Sequence, residues 1–492
     1  MITRLVGRTV ALTLAGVIAG AGHFAGQARA GETFHYDETN VRPAVYFAAL
    51  TNLANAVMFS GLGEALVISP YERDEWLRRA GYVTRPAMPD MAAAGPLYAG
   101  ARPDFAGEPD FTTPRTLAWD PSGFDRTLDP AAQAWAMIKI TSPEFHLQFH
   151  DLPDNKLAAL MMIPQARAQA KTLGARLTNA DGLFAPLVSG GNLGAAVPRD
   201  QIAVLWAASN MVLAGTSAHD DYWHAAYRDL TVPENYRPLL SQAFAAVTAM
   251  PPETPAERGL AIAALGRFAL AIDDAALRGE ALTLARTYAE SLAKNLTGES
   301  GATIEDIALA IYGLTEAGRL LAEPAFAEAA QNSFNDWLLP LWDDGAELFR
   351  SGEEPVTYGP RSAGAVVAAL NAMRWHGSDA EAERASALFP RFFESVVVRS
   401  GLMQASPLPL VAAPYLEGEP AEHFAHPVLP EAVSTAPVFA SEVIFEEGVW
   451  RVSDPAFRTG DALFLANMLA IRSENGRSDL FLSDDLLTGL RR

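Results

Sequence analysis

The residues best suited to chemistry fall in three places along the chain. "EFHLQFHDLPDN" at 144–155 sets His146 and His150 one helical turn apart, directly before Asp151. "HDDYWH" at 219–224 supplies His219, Asp220 and His224. His146 and His150, spaced by four, share one helix face, and together with His219, His224 and the carboxylates beside them would suit zinc, copper or iron. The HExxH pattern is absent, which speaks against a metalloprotease. A helix C-terminus also favours His for electrostatic reasons alone, and His376 ends "NAMRWHG" without an obvious partner.

The third group is Asp181, Asp344, Glu347, Tyr358, Arg361 and Arg399. A glycosidase needs one carboxyl group kept protonated as general acid and a second as base or nucleophile. A lyase would use a Tyr or His as base beside an Arg or Asn that neutralises the uronate, and Tyr358 and Arg361 stand in this group. Asp181 and Asp344 both precede Gly, where Asp is common for local hydrogen bonding, and Glu257 and Asp306 read as helix caps. "SGGNLGAAVPRDQ" at 189–201 lacks a preceding strand and a phosphate-loop Lys, so nucleotide binding is weakly supported.

Helices must position these groups. From residue 129 onward apolar residues recur at helical spacing, predicting helices over 130–150, 153–178, 198–218, 233–250, 254–272, 275–296, 303–322, 325–341, 359–377, 380–399 and 461–474. An earlier one is predicted over 43–68. Asp129-Pro130 and Thr254-Pro255 with Glu257 are helix-start signals, whereas Pro143 interrupts the first of these runs. Residues 84–128 read as a long loop. Residues 401–460 read as Pro-rich and then as strands, with a hairpin turn at Glu447-Gly448.

Three helices are followed by a related motif: "ADGLFAPLVSGG" at 180–191, "DDGAELFRSG" at 343–352 and "SGLMQAS" at 400–406. The Gly marks a helix stop and the apolar pair an extended return. If those three helices are equivalent, alternation places 130–150, 198–218, 254–272, 303–322 and 359–377 in the other class. Runs such as "AIAALGRFALA" and "AVVAALNAM" mark this class as inner. Pairing 461–474 inside with 43–68 outside closes a sixth hairpin.

Six helical hairpins with Gly-Leu-Phe returns resemble the (α/α)6 toroid of many glycoside hydrolases, polysaccharide lyases and sugar epimerases. The resemblance spans most of the chain, but no family catalytic motif matches. It implies an all-α, (α/α)6-type toroid with a small β-containing C-terminal insertion. It also implies a carbohydrate or other small-molecule ligand, in a cleft on the side where the returns lead into the inner helices. The alternatives are a His-based metal protein or metalloenzyme and a non-catalytic periplasmic scaffold that binds a protein partner.

Composition narrows the field further. The first thirty residues carry Arg4 and Arg8 before an apolar run and end in Ala28-Arg29-Ala30, the pattern of a secretory signal peptide. This predicts a periplasmic or secreted mature chain forming one domain over 31–492. No later stretch is apolar for long enough to span a membrane. With 0 Cys, disulfides and thiolate chemistry are excluded. Net charge is −21, and the lysines are Lys139, Lys156, Lys171 and Lys294 alone. Phosphate neutralisation needs clustered cations, so nucleic acid is excluded as a partner, and an anionic polysaccharide requires a local arginine pocket.

Overall fold

The computed structural model describes residues 35–39, 41–82, 92–110, 113–147, 153–188, 190–216, 232–295, 301–350, 352, 355–404, 434–473 and 476–490. Helices dominate. In chain order they are α1 (Val41–Ala54), α2 (Pro70–Arg79), α3 (Pro130–Ile140), α4 (Pro143–Leu147), α5 (Pro153–Arg176), α6 (Pro198–Thr216), α7 (Arg237–Ala249) and α8 (Pro255–Ala271). They continue with α9 (Ala275–Asn295), α10 (Ile304–Leu321), α11 (Pro324–Ser333), α12 (Pro360–His376), α13 (Asp379–Phe392), α14 (Thr459–Met468) and α15 (Asp484–Leu490). Strands are short: β1 (Gly63–Ala65), β2 (Ala94–Ala101), β3 (Phe124–Leu128), β4 (Trp342–Asp343), β5 (Leu348–Phe349), β6 (Val356–Tyr358), β7 (Glu442–Glu446), β8 (Val449–Asp454) and β9 (Phe457–Arg458).

The helices begin where capping chemistry calls for them. Asp129 caps α3 ahead of Pro130, and Thr254 with Glu257 and Thr303 with Asp306 form reciprocal capping boxes on α8 and α10. Each satisfies backbone N–H groups that the first turn leaves without partners.

Burial separates some of the helices as expected, but α5 and α1, expected on the outside, are themselves buried over long consecutive runs, Ala159–Ala166 and Thr51–Ala54. In α3 every residue but Ala131 is buried, and α8, α10 and α12 are nearly as enclosed, as apolarity on all sides requires. By contrast α9 buries one stripe, with Ala281, Ala285 and Ala289 spaced by four. The enclosed helices pack in order: α3 on α6, α6 on α8, α8 on α10, α10 on α12, α12 on α14 and α14 on α3. Each carries a covering helix, α5 on α3, α7 on α6, α9 on α8, α11 on α10, α13 on α12 and α1 on α14.

α8 and α10 approach very closely. A Cβ on Gly313 would come 2.4 Å from the Gly259 Cα, and one on Gly259 would come 2.0 Å from the Leu309 carbonyl oxygen. Only hydrogen at both positions lets the backbones touch.

Several boundaries differ from expectation. The helix foreseen over 130–150 ends at Ile140 and restarts as α4 at Pro143, whose ring and missing N–H break the run. The one foreseen over 43–68 ends in a π-helical turn at Asn55–Phe59. Pro164, in contrast, is accommodated inside an unbroken α5. Residues 84–128 are not simply a loop. They contain β2, which pairs antiparallel with β1, β3 and β9, and β3 itself.

The C-terminal hairpin β7–β8 turns at Glu447-Gly448 as expected, both residues having positive φ, and pairs with β6. Of the three Gly-Leu-Phe-type returns, Gly182 and Gly401 adopt positive φ. In the third, Glu347 takes the left-handed conformation.

Two glutamines dock extended segments onto the first turns of α3 and α6. Gln133 accepts from the Leu97 N–H and donates to the Leu97 carbonyl, both at 2.8 Å. Gln201 repeats the arrangement with Phe184 at the same two distances. These clamps seat β2 and the first Gly-Leu-Phe return beside the helix starts.

Substituting Gly313→Ala should lower unfolding free energy by about 1–3 kcal/mol, because the clashing atoms are backbone. Chemical denaturation measures this. An unchanged midpoint would contradict the close approach of α8 and α10.

Candidate functional site

The first turns of α3, α6, α12 and α14 share one cavity of about 450 Å³, with β2 and β9 as a further wall. Asp129, Asp200 and Asp461 reach it together with Arg199 and Arg361, and Trp135 forms part of its lining. The placement follows from helix-start chemistry. Asp129 is the cap of α3, while Asp200 and Asp461 each stand third in α6 and α14, where carboxylates face the positive end of the helix dipole.

Asp200 is the most enclosed of the three, only 4% exposed, and it makes no side-chain hydrogen bond or ion pair among the described residues. Burial pushes its carboxyl up to about 8; the charges of Asp129 and Asp461 add to the rise, and Arg199 and Arg361 oppose it. Asp129 is raised to about 6, again chiefly by burial. The Ala131 N–H, 3.4 Å from its Oδ1, and Arg199 hold it down, while Asp461 works upward. A Cβ on residue 460 would stand 3.3 Å from the Asp129 Oδ2, so Gly460 leaves that carboxylate its room. Arg361 is fixed from behind, donating through Nε at 3.0 Å and Nη2 at 2.6 Å to Glu305 Oε1, with its guanidinium 4.8 Å from the Phe464 ring centroid.

Of the carboxylate-site residues expected from sequence, Arg361 alone lines this cavity. Asp344 and Glu347 lie elsewhere, both bound to Arg391 at 2.8 and 2.9 Å. Arg391 holds Asp344 below the usual carboxylate range, the reverse of what a general acid needs. Asp181 sits in a turn with its own N–H donating to Asn179 Oδ1 at 3.0 Å, as its place before Gly suggests. Tyr358 is buried and donates its hydroxyl to the Phe349 carbonyl at 2.6 Å. Burial raises its phenol far above the range of a usable base. Arg399 pairs with Glu394.

The imidazole site is only partly within view. His150, Asp151, His219, Asp220 and His224 lie outside the described residues. His146 is buried, with Nε2 3.0 Å from the Ile140 carbonyl oxygen and its ring against Phe145. Among the described residues no group of three or more His, Asp or Glu side chains is arranged to hold a metal ion.

The C-terminal ends of α3 and α6 do share a rim. A cavity of about 370 Å³ there is lined by Thr141, Ser142, Asn210, Leu213 and Asp479. Beside it Lys139 is fully buried, its Nζ 4.7 Å from the Phe145 ring centroid and without a hydrogen bond. Asp479 Oδ1 accepts the Glu144 N–H at 3.1 Å, and its Oδ2 is withdrawn from solvent. Burial lowers Lys139 to about 8 and raises Asp479 to about 7, each opposed by the charge of the other.

No protein-family model matches the chain, and no curated protein matches it. The site therefore rests on its own geometry.

Sequence reading missed Asp200 and Asp461 and took Asp129 for a cap. The available signal was an acid at the start of a helix already assigned to the inner class.

Replacing Lys139 with Met should destabilise the fold by about 3–5 kcal/mol, since the Asp479 carboxylate then loses its compensating charge. Adding Asp479→Asn should recover part of the loss. Equal additive losses in a denaturation cycle would show that the two groups do not interact.

Proposed function

We propose that the helix pairs close into an (α/α)6-type toroid and that the chain is an exported, carbohydrate-active protein whose substrate occupies the Asp129–Asp200–Asp461 cavity. The closed order of packing supports the toroid, because α14 contacts both α12 and α3 and so joins the last enclosed helix to the first. Mixed carboxyl and guanidinium groups around a concave site supply the acceptors and donors that a polyhydroxylated ligand requires. The export assignment rests on the N-terminal sequence, and the choice of carbohydrate rests partly on analogy with proteins of that architecture.

One observation carries the chemistry: Asp200 is enclosed, lacks a partner among the described residues, lines the cavity and is raised to about 8. It is a carboxylic acid at neutral pH, in position to donate a proton to a glycosidic oxygen as the bond to the leaving sugar breaks. Asp129, raised only to about 6, is ionised there and serves as base for an attacking water or as nucleophile. The pair takes up its protons in two coupled steps. A metal-centred reading has less support, since His146 Nε2 is already engaged by the Ile140 carbonyl.

Activity against a panel of glycans should rise as pH passes about 6, where Asp129 ionises, and fall above about 8, where Asp200 loses its proton. Asp200→Asn should lower kcat by about 10²–10⁴-fold. Failure of every glycan to be cleaved or to shift Tm, or full activity in the variant, would overturn the reading.

Stability carries the opposite sign. A carboxyl raised in the folded state contributes most below its unfolded value and costs stability as pH rises through its folded value. Asp200→Asn should therefore raise Tm at pH 8 relative to the parent and change it little near pH 4, as calorimetry would show.

A further inference from the structure

The arginines around the cavity differ in how they are occupied. The chain as a whole is acidic at −21, yet Arg102, Arg199, Arg361 and Arg458 all line this one space. Arg361 is committed to Glu305, Arg102 lies 3.4 Å from Asp104, and Arg458 lies 3.4 Å from Asp454. Arg199 has no hydrogen bond or ion pair among the described residues. Its guanidinium is close enough to Asp129 and Asp200 to lower both carboxyls, and it projects from an exposed residue at the second position of α6.

An unengaged guanidinium beside an enclosed and equally unengaged carboxyl is a donor and acceptor set awaiting a ligand. We infer that the substrate is an acidic carbohydrate, a uronate-containing oligosaccharide, and that Arg199 binds its carboxylate through paired N–H donors while Asp200 faces the neighbouring glycosidic oxygen. The inference rests on the proposed carbohydrate reading and adds the charge of the substrate to it. Guanidinium is the cation whose planar fork matches a carboxylate. Arg102 and Arg458 are already paired with Asp104 and Asp454, which leaves Arg199 as the guanidinium of this lining with no hydrogen bond or ion pair among the described residues. Four aspartates, Asp125, Asp129, Asp200 and Asp461, line the cavity, and burial discourages ionisation of Asp200 and Asp129, so less negative charge opposes an incoming anion than four carboxylates would suggest.

The test uses the full chain and isothermal titration calorimetry with oligogalacturonate, oligoglucuronate and oligomannuronate, each beside its carboxyl-reduced neutral form. At least one acidic oligomer should bind about tenfold or more tightly than its neutral counterpart, weakening as salt is raised. Arg199→Gln should erase that preference while binding of the neutral forms is retained, and Arg199→Lys should restore part of it. Equal binding of acidic and neutral forms, or an unchanged preference in Arg199→Gln, would overturn the inference while leaving the carbohydrate reading in place. Absence of binding by every oligomer, acidic and neutral, would overturn both.

Discussion

The constraint that governs this molecule is the apolarity of six helices around their full circumference. A helix such as α3, buried at all but one position, cannot offer a polar face to water, so neighbours must cover it on every side. Polar side chains within these helices, such as Ser209, Arg267, Glu316 and Asn371, are buried and must find their partners inside the protein. Carboxylates and arginines gather at the starts of α3, α6, α12 and α14, and at the other end Lys139, in the last turn of α3, stands beside Asp479. Close packing such as that of Gly259 on Gly313 then fixes where those ends lie.

Burial at a helix start acts on the carboxyl groups in two directions. The dipole and free N–H groups favour the ionised form, as the bond from the Ala131 N–H to Asp129 illustrates. Removal from water favours the neutral form, and at Asp200 this wins because no donor among the described residues compensates it. Two aspartates on adjacent helices thus differ in proton affinity. In the proposed mechanism that difference assigns acid and base, and the same enclosure lowers stability as pH rises.

Much of the architecture was legible because its determinants are local. Pro130, Thr254-Pro255 and the Thr303–Asp306 box announce helix starts by hydrogen bonding within a single turn, and the runs rich in Ala mark the enclosed helices. Strand β2 was not legible. Its Gly95, Pro96 and Gly100 oppose a strand by propensity, and its pairing partners include β9, more than 300 residues away, as well as the Gln133 clamp. The site was half legible. The Gly-Leu-Phe returns direct attention to the rim where the proposed cavity lies, but Asp129 has a complete local explanation as a cap, which draws no notice to its place in that cavity. Asp344 and Glu347 stand in a motif that draws notice, yet their charges are consumed by Arg391. Whether an acid is held by a partner or left without one is decided by helices far apart in sequence.

Burial of Asp200, without a hydrogen bond or ion pair among the described residues, should leave it protonated at neutral pH. Infrared difference spectroscopy between the wild-type chain and Asp200→Asn at pH 7 tests it directly. A protonated-carboxyl C=O stretch present in the wild type, lost in the variant and fading as pH is raised beyond about 8 is the predicted result. A difference spectrum showing only ionised carboxylate bands at pH 7 would contradict the account.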